Sequence, residues 1–168
     1  MDVVEAARSR ARRRPEPARG GWPALTLSGA AAFWLANLLI SMTPLAAAYR
    51  SALSIRYLPM LAEAAVGGLV VAGVVAALLV RFGARVPGAG PLRQALVLAG
   101  CALVVLTLLV EVPAKLRSGV DDPVRWLLVA TAINTVRVLA LGLAVGGLAR
   151  AAYRHRTPTP PSATEVTT

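Results

Sequence analysis

The chain has 168 residues, of which 57% are hydrophobic, with a mean hydropathy of +0.64 and a formal net charge of +10. Apolar content on this scale excludes an ordinary water-soluble globule, and the cations gather at the ends of long apolar runs, which argues against nucleic acid and for lipid head groups as their surroundings. One cysteine, Cys101, excludes an intramolecular disulfide and any multi-cysteine metal site.

Residues 1–21, MDVVEAARSRARRRPEPARGG, read as a basic tail, expected to be disordered. Its apolar face is thin for a helix lying on lipid. Residues 22–150 follow as one transmembrane domain. A helix needs roughly 20 residues to cross hydrocarbon, and four stretches meet that length: about 24–49, 57–80, 92–111 and 123–149. Short connections make consecutive helices antiparallel neighbours, so the expected fold is an all-α, four-helix membrane bundle. Residues 151–168, ending in TPTPPSATEVTT, have nothing to bury and read as a second disordered tail.

Local punctuation sets the boundaries. Asp122 before Pro123 is an N-cap followed by a proline in the first turn, where its missing N–H costs nothing, so the fourth helix begins there. Pro113 is expected to close the third helix. Pro59 falls in the first turn of the second, whereas Pro44 should kink the first or end it early. The first segment is too long for the apolar core of a cleaved signal peptide, and it is expected to remain.

Lysines and arginines fix the expected orientation. The two tails and the second connection carry twelve, among them Arg8, Arg81, Arg85, Arg93 and Arg150; the first and third connections carry five, namely Arg50, Arg56, Lys115, Arg117 and Arg125. This bias puts both termini in the cytoplasm. The Ala, Val, Leu, Arg, Gly and Pro bias suggests a GC-rich bacterial genome and hence the inner (plasma) membrane.

The polar residues inside the spans are the candidate site. At 1.5 Å of rise per residue, with Tyr49, Tyr57, Glu111 and Asp122 as outer markers, Glu63 lies about 9 Å deep, Ser41 about 12, Thr131 about 13, Asn37 and Asn134 about 18 and Arg137 about 22. Asn37 and Ser41 are four apart, and Asn134 and Arg137 three apart, so each pair shares a helix face. An arginine facing lipid near the midplane costs roughly 2.5–3.5 kcal/mol, so Arg137 should face the interior, with asparagine oxygens beside it and Glu63 coupled to it as the neutralising carboxylate, across a gap of several ångströms that a water or Asn134 would bridge. Asn37, Ser41, Glu63, Thr131, Asn134 and Arg137 are therefore either the lining of an outward pocket for an anionic or zwitterionic group, or an internal network that fixes helix register. Glu111 reads as an interfacial charge paired with Lys115 or Arg117.

A second constellation is steric. Gly142 and Gly146 form a G-x-x-x-G on the fourth helix, and Gly68 belongs to a ridge of small residues on the second. Such faces pack helices closely, within the chain or against another.

Catalytic equipment is sparse. His155 is the only histidine and lies in the C-terminal tail, so a histidine-based metalloprotease site, a Ser/His dyad or a haem-ligating pair is not available within one chain. No cofactor or metal is expected. The leading reading is a small non-catalytic membrane protein, an accessory or assembly subunit that packs through its small-residue faces against a membrane partner or a second copy. The alternative is a transporter or channel component with the outward polar pocket. The lipid bilayer is the expected surrounding in either case.

Overall fold

The computed structural model describes residues 21–87 and 90–154, and those residues are helical apart from short turns and connections, with no strand among them. The expected tails at 1–20 and 155–168 lie outside the described residues. Four spans, Trp22–Ser41, Tyr57–Arg85, Pro91–Arg117 and Pro123–Arg154, are long and apolar enough to cross a membrane, so the chain is a multi-pass membrane protein.

The first span, α1 (Trp22–Ser41), ends for a local reason. Pro44 cannot continue the helix, because its ring would meet the Ile40 carbonyl and it has no N–H to offer it. That carbonyl instead accepts from the Thr43 N–H at 2.9 Å and the Thr43 hydroxyl at 2.7 Å. The same hydroxyl accepts the Ala46 N–H at 3.2 Å, which caps a separate short helix, α2 (Pro44–Ala52). The expected helix over 24–49 is thus two helices with a break at Met42–Thr43.

α3 (Tyr57–Phe82) carries Pro59 in its first turn and ends in a 3₁₀ turn, Gly83–Arg85. α4 (Pro91–Leu106) opens after Gly90, whose φ of +104° is a conformation that glycine adopts freely. Here the expected end of the third helix is overturned. Pro113 does not close it: a single π turn, Thr107–Glu111, leads into a further helical segment, α5 (Val112–Arg117). In the wider turn the Val112 N–H reaches back to the Thr107 carbonyl, and the ladder opens where an α-helix would press the Pro113 ring onto the Leu109 carbonyl. α6 (Pro123–Arg154) begins where Asp122 accepts the Arg125 N–H at 3.1 Å, and it runs through residues 151–154, which the sequence assigned to the tail.

α1 packs along α3 and α6, and α6 packs along α4; α3 and α4 touch much less. The core is made of small and branched side chains, with Ala72, Val75, Ala76, Ala95, Leu141 and Val145 fully enclosed. Glycines let the backbones approach. A Cβ on Gly146 would lie 2.7 Å from the Leu92 Cα, and one on Gly142 would lie 3.1 Å from the Ala99 Cβ, so the G-x-x-x-G face is occupied by α4 of the same chain. Gly68 receives the Phe33 ring, and Gly29, which has no such motif around it, receives Val145 and Ala72. Large apolar side chains such as Leu39, Val66, Leu109 and Leu128 point outward, as lipid-facing positions do.

Candidate functional site

Beside the break in α1, the helices part around a cavity of about 460 Å³, within the usual range for small-ligand sites of roughly 300–1,000 Å³. Its polar lining includes Ser41, Arg50, Arg56, Glu63, Glu111 and Arg137. α2 forms part of the wall, and its tyrosine, Tyr49, stands edge to face with Trp126 at 5.9 Å while the Lys115 ammonium sits 5.0 Å above its ring.

Arg137 is held by a chain of side chains from two spans. Its Nη1 donates to Asn134 Oδ1 at 3.1 Å, and Asn134 Nδ2 donates to Glu111 Oε1 at 2.9 Å. The other Glu111 oxygen is 3.4 Å from the Lys115 ammonium, four residues on, and Lys115 is itself buried. The guanidinium carbon also lies 6.0 Å from the centre of the Phe33 ring, the ring that Gly68 admits. One carboxylate therefore serves two cations, directly for Lys115 and through an amide for Arg137.

The wall on the α1 side is built from a second polar chain. The Ser41 hydroxyl donates to the Leu38 carbonyl at 2.6 Å and lies 3.2 Å from the Tyr57 hydroxyl. Arg50 Nη1 donates to the Ser41 carbonyl at 2.9 Å, capping the last turn of α1, and its guanidinium covers the Tyr57 ring at 5.1 Å. These contacts fix Arg50 at the cavity edge.

The expected residues are distributed unevenly. Ser41, Glu63 and Arg137 line the cavity, and Asn134 supports Arg137 from behind. Asn37 is fully enclosed, and neither atom of its amide has a hydrogen-bond partner among the described residues; the same is true of Arg137 Nε. Thr131 is outside the lining, and its carbonyl accepts from the Thr135 hydroxyl at 2.8 Å. Glu63 makes no hydrogen bond or ion pair with Arg137, and the neutralising role expected of it falls to Glu111. Glu111 and Lys115 do pair as expected, but as part of the Arg137 network. Sequence reasoning passed over Arg50 and Tyr57, treated only as loop charge and end marker; the signal was their place on either side of the short connection that follows the Pro44 break.

Three arginines thus face two carboxylates, one of which Lys115 already engages, so the cavity suits a group that brings negative charge. Among the described residues no cluster of three or more metal-ligating side chains occurs. No protein-family model, curated protein or solved structure matches the chain.

Proposed function

We propose that the chain is a plasma-membrane protein with antiparallel spans and cytoplasmic termini, whose vestibule opens on the opposite face and holds an anionic or zwitterionic solute or lipid head group. The excess of Lys and Arg in the tails and second connection supports the sidedness. Ser41 at the end of the first span meets Tyr57 at the start of the second, and on the third and fourth spans Leu92 meets Gly146 while Glu111 meets Asn134, which supports the antiparallel course.

The observation that carries the functional reading is the Arg137 guanidinium, fixed on Asn134 and lining a cavity with Arg50 and Arg56. A half-buried arginine held by one amide keeps donors for a ligand, and the flanking cations would draw an anion inward. The test is calorimetric binding of phosphoethanolamine, glycerol phosphate and their short-chain phospholipid counterparts to the purified protein. Arg137→Gln and Arg56→Gln should each weaken binding about tenfold, the scale of one charge-assisted contact. Arg117→Gln, outside the cavity, should leave it unchanged. Absence of binding by all four probes would overturn the reading.

One observation favours a second reading, a subunit that packs against a partner or another copy. Val97, Gly100, Cys101 and Val104 recur at helical spacing on α4, and all four are exposed, on the least enclosed of the spans. Gly142 and Gly146 are already occupied within the chain, so the α4 face is the one such a contact would use. Disulfide formation through Cys101 in intact membranes would support a second copy there, and its absence under oxidising conditions would count against one.

A further inference from the structure

We propose that the occupant is an aminophospholipid taken sideways from the bilayer through the gap between α3 and the Thr107–Glu111 turn, with its phosphodiester on the vestibule arginines and its primary ammonium on Glu63; this rests on the head-group reading of the vestibule given above.

The gap is the first observation. α3 and α4 form a thin seam, and past Leu106 the third span barely meets α3 at all. The cavity is nonetheless lined from both sides at this level, by Pro59, Met60 and Glu63 on α3 and by Glu111 on the π turn. Leu108, Leu109 and Val110 on that turn are exposed. One wall of the vestibule is therefore formed by two elements that scarcely touch, and a bilayer lies beyond it.

Glu63 is the second observation. It lies six residues past the start of α3, about 9 Å along the helix, and it is exposed. No other described residue pairs with its carboxylate, although three arginines share its cavity. A carboxylate within an apolar span needs a cation. The vestibule thus offers the two halves of a zwitterion separate places, arginines for an anion and Glu63 for a cation.

A strip of apolar surface then leads away from that carboxylate. Val66, Gly67, Val70 and Val74 follow Glu63 at helical spacing and are exposed, and no atom lies within 4 Å of where a Gly67 Cβ would be. The strip runs along the span as an acyl chain would, with a notch one turn below the head group. A soluble zwitterion would satisfy the charges but would leave the strip and the gap unused.

The chemistry narrows the head group. A primary ammonium donates hydrogen bonds to a carboxylate, whereas a quaternary choline cannot and is held instead by aromatic cages. The cavity residues nearest Glu63 along α3 are Pro59 and Met60, neither of them aromatic, and the one aromatic in the lining, Tyr49, already carries the Lys115 ammonium over its ring. Ethanolamine-type lipid fits this wall better than choline-type, and an uncharged glycerol head group would leave Glu63 unpaired.

The test is native mass spectrometry of the full chain released from vesicles holding equal amounts of ethanolamine, choline and glycerol phospholipids with matched acyl chains. The ethanolamine lipid should be retained over the others by about tenfold. Glu63→Gln should abolish that preference, and Glu63→Lys should turn it toward the glycerol lipid, both variants keeping the elution volume and melting behaviour of the parent. Equal retention of the three lipids, or a preference that survives Glu63→Gln, would overturn the proposal. Retention of no lipid, with soluble phosphoethanolamine still bound, would overturn entry from the bilayer and leave the vestibule reading standing. Failure of both lipid and soluble probe would remove both.

Discussion

Asn134 and Glu111 meet at 2.9 Å, an amide from the fourth span against a carboxylate from the third. The amide turns over to offer its oxygen to Arg137 at 3.1 Å, so both of its ends are used and its orientation is set. Asn134→Ala should remove the bridge and leave Arg137 on its Phe33 face alone. Glu111→Gln should keep an acceptor for Asn134 but strand the buried Lys115. Each is expected to cost about 1–3 kcal/mol. Together they should cost less than their sum by about 1 kcal/mol, within the range of membrane-embedded hydrogen-bonded pairs. Denaturant unfolding in mixed micelles, run as a double-mutant cycle, measures the coupling, and strictly additive losses would put the stabilisation elsewhere.

Gly146 and Gly147 are neighbours with opposite surroundings. A Cβ at 146 would come within 2.7 Å of a backbone atom of Leu92, while at 147 it would meet nothing within 4 Å. Gly146→Ala must push α4 and α6 apart and should cost about 1–3 kcal/mol, as overpacking does. Gly147→Ala should gain a few tenths through the better helix propensity of alanine. Thermal unfolding of the two variants side by side decides it, and equal melting points would refute the packing.

Thr43 has two tasks, filling the carbonyl that Pro44 leaves open and capping α2. Thr43→Ala should cost about 1 kcal/mol, most of it local to the short helix. Hydrogen exchange over residues 44–52 should accelerate, with protection in α1 and α6 unchanged. Because Tyr49 and Arg50 ride on α2, ligand affinity should fall as well.

The proposed sidedness makes a plain forecast. In a Cys101→Ser background, Ser118→Cys should react with a membrane-impermeant maleimide on intact cells, and Ala84→Cys only after permeabilisation. The reverse pattern would invert the vestibule.

Much of this arrangement was readable from residue spacing, and the part that was not has a traceable cause. Asp122 before Pro123, and Pro44 within an apolar run, announce a start and a break because proline's missing N–H acts locally. The interior position of Arg137 and its reach to Asn134 followed from the cost of charge in hydrocarbon and from three-residue spacing. The error was Glu111. Treating it as an end marker set it about 18 Å from the level of Asn134. The helix instead continues six residues to Arg117, which lowers Glu111 by about 9 Å. Side chains tilt toward their own helix N-termini, so on the proposed antiparallel course Glu111 and Asn134 lean toward each other and close the rest. Gly29 was invisible for another reason: its neighbours Val145 and Ala72 belong to other helices, and a lone glycine carries no periodic signal.

The π turn at Thr107–Glu111 also acts as a rotational setting for everything that follows it. Were it to tighten into regular α geometry with the rest of the span held fixed, the segment beyond would swing by about 100°, the angle of one residue. Glu111 and Lys115 would swing away together, still partners, while Asn134 and Arg137 stayed behind without the carboxylate that now holds them. A single widened turn, with no residue of its own enclosed, is thus the dial on which the electrostatic balance of the vestibule is set.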